Sequence, residues 1–261
     1  MHDHDRGLAF DLSRLVGRRG MLGLVGGAVL VGAVGCTQPE TQSGTGVSAG
    51  STGSAGGQEE IPDETAGPFP GDGSNGPDAL TQSGVVRQDI RSSFGSSAGV
   101  AEGIPLTVEF TVLDGGSAYA GAAIYLWHCD REGRYSMYSD GVTEENYLRG
   151  VQEAGPDGLV RFTTIFPGAY AGRWPHLHFQ VYANLQEAVS ASDGVKVTQL
   201  AFPEQACAEA YAAPGYEQSA ANLPGLSLDD DSVFRDGYEA QLATVTGDAG
   251  NGYTAKLDVR V

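Results

Sequence analysis

Basic residues are scarce in this 261-residue chain: 15 Lys and Arg stand against 33 Asp and Glu, a formal charge of −18. A surface that acidic repels phosphate backbones and anionic headgroups, which excludes a nucleic-acid reader and any membrane binder working through charge. Cysteine is scarce too, at three, and histidine at five. His2 and His4 fall in the first few residues, so only His128, His176 and His178 lie beyond the leader. No Asp or Glu occurs between Asp157 and Glu187, so a metal site in that stretch has no carboxylate at hand. The one long apolar run, Met21 to Gly35, falls short of the roughly 20 residues a spanning helix needs. There is no internal repeat.

That run has its own explanation. Arg14, Arg18 and Arg19 precede it and small residues lead into Cys36, as in "RRGMLGLVGGAVLVGAVGC". The pattern is an export signal with a twin-arginine look, and "AVGC" resembles a lipoprotein box. Residues 1–35 are therefore expected to be a leader and Cys36 the lipidated N-terminus. Residues 36–60, rich in Gly, Ser and Thr with one Val, read as a flexible tether. The expected location is the outer face of the cell membrane, or the medium, with membrane contact only through the lipid.

Residues 61–261 read as one all-β unit. "PLTVEFTVLD" alternates apolar and polar residues; "AAIYLWHCD", "GLVRFTTIF", "HLHFQVYA", "VKVTQLAF" and "YTAKLDVRV" are strand-like and separated by Gly, Pro and Asp turns. "PEQACAEAYAA" (203–213) is the one helical candidate, opened by Pro203. The expectation is a β-sandwich with long loops and one short helix. Cys129 and Cys207 are the only cysteines in this unit. In an oxidising compartment such a pair is expected to be bridged; two separate buried thiols are the alternative.

Strand geometry puts residues i and i+2 on one face. His176 and His178 therefore share a face, with Leu177 and Phe179 on the other. Two imidazoles on one face suit a metal ion, but further ligands are needed. Tyr170 stands six residues before His176 in a Pro-Gly loop, and Tyr135 follows a strand in a Gly-containing turn. A neutral phenol is a poor ligand, and a hard trivalent cation strips its proton. Two phenolates with two neutral imidazoles suit Fe(III). A copper or zinc site on the His pair, or a tethered binding module with no metal, remain the competing readings. His128, beside Trp127 on a strand, is assigned to structure. Tyr138 is the rival to Tyr135.

"TAGPF" (65–69), "WHCDREGRYS" (127–136), "FTTIFPGAYAGRWPHLHF" (162–179) and "VTQL" (197–200) occur in this order. Together they resemble the intradiol ring-cleavage dioxygenases, relatives of protocatechuate 3,4-dioxygenase and catechol 1,2-dioxygenase, over residues 61–261. The resemblance is closer to the short, exported members. It implies a β-sandwich holding non-haem Fe(III) through Tyr135, Tyr170, His176 and His178. It also implies Arg173 as the active-site arginine, Gln199 as the residue that orients it, and Thr65, Gly67, Pro68 and Phe69 as pocket lining, with Phe69 where a tyrosine is usual. The substrates implied are O2 and a small aromatic diol of the catechol, protocatechuate or hydroxyquinol type, cleaved to a muconate-type diacid, with Tyr170 leaving the metal as the diol binds. Arg173, beside an apolar strand, is expected to carry a charge kept for an anionic ligand; a structural salt bridge to one of the many carboxylates is the alternative. Oligomeric state is not implied.

Overall fold

The computed structural model describes residues 60–261. The leader, Cys36 and nearly all of the tether lie outside the described residues.

Two β-sheets form the frame. In the first, β1 (Pro105–Asp114) is central. It pairs on one side with β5 (Leu159–Ile165) and briefly with β2 (Ser117–Ala118), and on the other with β9 (Gly252–Arg260), which in turn pairs with β8 (Thr244–Asp248). Of these strand pairings in the described residues, β1–β9 is the parallel one. The second sheet is antiparallel in the order β4 (Arg149–Glu153), β3 (Ala123–Trp127), β6 (His176–Tyr182), β7 (Lys196–Ala201).

The alternation in β1 buries Leu106, Val108, Phe110 and Val112 against the second sheet, where Ile124, Leu126, Leu177, Phe179 and Val181 meet them. Phe110 and Phe179 close this interface with ring centres 4.6 Å apart. Fully burying side chains of this size contributes about 1.5–3 kcal/mol each. The opposite face of β3 and β6 carries Tyr125, Trp127 and Tyr182, which form a second cluster with Tyr135, Cys129 and Val151 under a cover of loops. Both faces of this sheet are thus buried, and β6 is buried along its whole length. β3, buried throughout as well, reads as a continuous apolar run, whereas β6 alternates polar and apolar residues and buries both.

The all-β expectation holds. Among the described residues there are three short α-helices instead of one: α1 (Leu185–Val189), α2 (Glu204–Tyr211) and α3 (Glu217–Asn222). The disulfide expectation does not hold. Cys129 and Cys207 are free buried thiols. Each belongs to a different apolar cluster, and the Cys129 thiol donates instead to the Gly168 carbonyl at 3.4 Å.

Candidate metal centre

The register places the site. Within the second sheet Trp127 pairs with His178, and His178 pairs with Gln199. These three side chains, with His176 one pleat along, share the face turned away from the sandwich interior. Trp127 lies flat on His178, ring centres 5.1 Å apart and planes 6° apart, which fixes one wall of that imidazole.

Two loops bring the tyrosines. The turn after β3 is tied by Asp130, whose amide takes the Arg134 carbonyl and whose carboxylate accepts from the amides of Glu132 and Arg134 and from the Arg134 side chain. Tyr135 then points inward, its amide donating to Ser139 Oγ. The second loop is pinned on both sides of Tyr170: Gly168 donates to the Asp130 carbonyl, Ala169 donates to Ser219 Oγ, and Trp174 donates through its amide to Asp231 and through its indole to the Phe202 carbonyl. Gly133 lets the loops touch. It has φ +82°, and a Cβ there would sit 3.1 Å from Tyr170 Cβ.

Four donor atoms converge. Tyr135 Oη lies 3.5 Å from Tyr170 Oη, Tyr170 Oη 3.3 Å from His176 Nε2, and His176 Nε2 3.1 Å from His178 Nε2. Ligands about 2 Å from one ion stand about 2.8–3.4 Å from their neighbours, so these spacings fit a shared cation. The protonation states agree. His176 Nδ1 donates to the Trp174 carbonyl, which leaves Nε2 a lone pair. Burial, with Arg173 adding to it, pushes His176 down to about 3, and burial with His176 and Arg173 pushes His178 well below its ordinary value, so both rings are neutral. Two lone-pair nitrogens facing each other repel unless a cation or proton lies between them. His178 Nδ1 is buried without a partner, so neither neutral tautomer satisfies that atom. Burial, then Tyr170, raises Tyr135 well above the usual phenol value. Its phenolate therefore forms only against a strong positive charge. Among the described residues no group of three or more His, Cys, Asp and Glu gathers at one point. The side-chain oxygens that stand beside the His pair are those of the two phenols.

Arg173 reaches the cluster from the loop before β6. Its Nη2 donates to Gln199 Oε1 at 2.6 Å, as the resemblance implies. Its charge is matched by a carboxylate, the alternative to a charge kept for a ligand. Nε donates to both oxygens of Asp231, at 3.0 and 3.2 Å, inside a pocket where the Asp231 side chain is 0% exposed. Burial works to raise Asp231, but Arg173 and the amides of Trp174 and Val233 hold it below the usual carboxylate range. Burial likewise works against the Arg173 charge, and Tyr170 and Asp231 more than restore it. Asp231 had no local signal: it ends an acidic run, Asp229 to Asp231, in a loop more than fifty residues downstream.

The "TAGPF" segment lies against the cluster. Gly67 has φ +70°, and a Cβ there would come 3.1 Å from His178 Cε1. Thr65 accepts the Gln199 amide through its carbonyl at 3.0 Å. The Phe69 ring centre is 5.0 Å from that of Tyr135. Glu64, which sequence reasoning passed over, is half-buried and raised to about 7 by burial, with Asp236 next and Arg173 opposing. Tyr138 does not join the four donors; its hydroxyl donates to Asn75 and accepts from the Gly71 amide. His128 is structural, bridging the Cys129 carbonyl and Thr164 Oγ1.

The fold is thus a β-sandwich with two tyrosines and an H-x-H pair brought together on the outer face of its second sheet. A family model described as "Dioxygenase" matches residues 75–209, just over half the chain, and spans all four donors, Arg173 and Gln199 but not Thr65 to Phe69 or Asp231. An intradiol ring-cleavage dioxygenase from Tetranychus urticae is similar in structure, with TM-score 0.56, 22% identity, 69% of this chain and 87% of that one covered. A dioxygenase domain of a carbohydrate-binding fusion from Streptomyces sp. SirexAA-E gives TM-score 0.49 at 24% identity over 78% and 98% of the two chains. The chain belongs to the intradiol ring-cleavage dioxygenase family, whose members act on catechol-type rings.

Proposed function

We propose that this chain is a non-haem Fe(III) intradiol dioxygenase that cleaves a catechol-type diol with O2 to a muconate-type diacid. The observation that carries the reading is the convergence of Tyr135 Oη, Tyr170 Oη, His176 Nε2 and His178 Nε2. Hard phenolate oxygens with borderline imidazole nitrogens favour a ferric ion over zinc or copper. When bound, that ion supplies the Lewis acidity that makes a diol reactive toward O2.

The protein supplies placement and protons. Tyr170 Oη would be the atom that takes a diol proton, because Tyr170 is only partly buried whereas Tyr135 is buried. Phenol and diol acidities are similar, so this exchange needs no separate base. Tyr135, packed under Phe69 and fully buried, stays in place. Arg173 holds a positive charge beside the ring that develops negative character. Asp231 and Gln199 fix its direction before substrate arrives, which is where electrostatic preorganisation is most effective. Trp127 and Phe69 make the walls apolar and limit water.

Metal analysis with a visible spectrum tests the reading. Iron at one per chain with a phenolate-to-metal absorption band supports it; stoichiometric zinc or copper, with no iron taken up on ferric reconstitution, overturns it. The same enzyme is proposed to be exported and anchored at Cys36. Cys36→Ser should release it from the membrane fraction or leave a precursor, and unchanged membrane association refutes the anchor.

A further inference from the structure

Arg149 opens β4 and is 0% exposed. No carboxylate neutralises it among the described residues. Its five N–H donors instead all meet neutral oxygens. Nε donates to Ser136 Oγ at 3.1 Å. Nη1 donates to the Pro70 carbonyl at 2.8 Å and to Tyr125 Oη at 3.3 Å. Nη2 donates to the Phe69 carbonyl at 3.1 Å and the Ser136 carbonyl at 2.9 Å. The Tyr138 ring covers the guanidinium at 5.4 Å.

A buried cation without a counter-ion is costly, and an apolar side chain would fill such a space at less expense. What the guanidinium offers is geometry: five donors in one rigid plane, each strengthened by charge. Four of the five bonds go to two segments with no backbone hydrogen bond between them. One is Phe69–Pro70, the end of the segment whose Gly67 backs onto His178. The other is Ser136, adjacent to Tyr135. The Tyr125 hydroxyl adds a bond to Pro70 at 2.7 Å.

We propose that Arg149 is a positioning residue that locks the pocket wall at Phe69 to the turn carrying Tyr135, setting the orientation of that phenol and the width of the pocket above it. This rests on the reading of Tyr135 as a metal ligand. The role is geometric, so charge alone does not fill it. A lysine keeps the charge but presents three donors from a single nitrogen, and it cannot span acceptors arranged around a plane.

The test uses the full-length ferric-loaded protein with Arg149→Lys, Arg149→Met and the milder Tyr125→Phe. Circular dichroism and thermal unfolding first establish the temperature range in which each is folded. Within that range, the phenolate-to-metal band and the kinetic constants for catechol are measured. The expected result is a displaced band and a fall in kcat/KM of roughly tenfold or more in both Arg149 variants, with Lys no better than Met. Tyr125→Phe should move both readouts the same way by less, and it decides the question if the Arg149 variants do not fold. Variants that are less stable but have the wild-type band, KM and kcat overturn the proposal, as does full rescue by Lys. A wild-type protein with no band and no turnover refutes the metal reading beneath it, and that outcome is visible before any variant is made.

Discussion

Asp231→Ala probes the account at its most concentrated point. The carboxylate is 0% exposed and accepts from Arg173 Nε, from the Trp174 amide at 2.6 Å and from the Val233 amide at 2.8 Å. Removing it leaves a guanidinium buried to 94% of its surface with no counter-ion, and takes the acceptor from three amides, those of Trp174, Val233 and Phe234. Breaking a buried pair this way costs about 3–5 kcal/mol. A stranded amide costs about 1–3 kcal/mol, reduced here if water enters the space the side chain leaves. The lower figure alone is a large part of the roughly 5–15 kcal/mol that holds a domain folded. For a domain of this size it lowers Tm by about 10 °C. Urea unfolding measures it. A double-mutant cycle supplies the control: Arg173→Ala removes the stranded cation, so the double variant should be less destabilised than the two singles added. The pH dependence has a fixed sign. Asp231 is held below its ordinary value of 3.8, so its contribution is complete above about pH 4 and disappears as pH falls through the folded value. The gap between wild type and Asp231→Asn should close in acid. Since Trp174 lies between Arg173 and His176 and its carbonyl orients His176, ferric affinity should fall as well. An Asp231→Ala protein within about 1 kcal/mol of wild type and with normal iron content would refute the reasoning.

Arg173→Ala should retain the iron and its colour yet lose turnover on the order of hundredfold, measured by oxygen uptake; unchanged uptake removes Arg173 from the chemistry. Tyr170→Phe removes a phenolate and should alter the visible spectrum itself. Glu64 is raised from 4.5 to about 7, so its ionisation opposes folding: wild-type stability should decline as pH rises from about 4.5 through 7, and Glu64→Gln should flatten that slope. Alkylation followed by peptide mapping should leave Cys129 and Cys207 unmodified in the native protein and label both in denaturant without reductant, whereas a bridge would block them in both conditions.

Much of this centre was legible because strand periodicity is strict. His176 and His178 had to share a face, and β1 runs over the same residues its alternation implies. The tyrosines stood out as candidates from their loops, but the choice of Tyr135 over Tyr138 rested on the resemblance; the difference lies in which of them the Asp130 turn aims inward. β4 was missed because "RGVQE" has one large apolar residue, and its buried Arg149 reads as a surface charge. The helices α1 and α3 are five and six residues long and leave no periodic trace. Asp231 was hidden for a different reason: three consecutive aspartates look alike until the chain folds one of them under Arg173. The disulfide expectation rested on parity and compartment, and neither contains the distance or direction that bridging requires.

The most direct test is product analysis after ferric-loaded protein consumes O2 with catechol. One O2 should be taken up per diol, giving a dicarboxylic acid equal in mass to the diol plus O2, cut between the two hydroxylated carbons. No uptake, or a yellow semialdehyde cut beside those carbons, would contradict it.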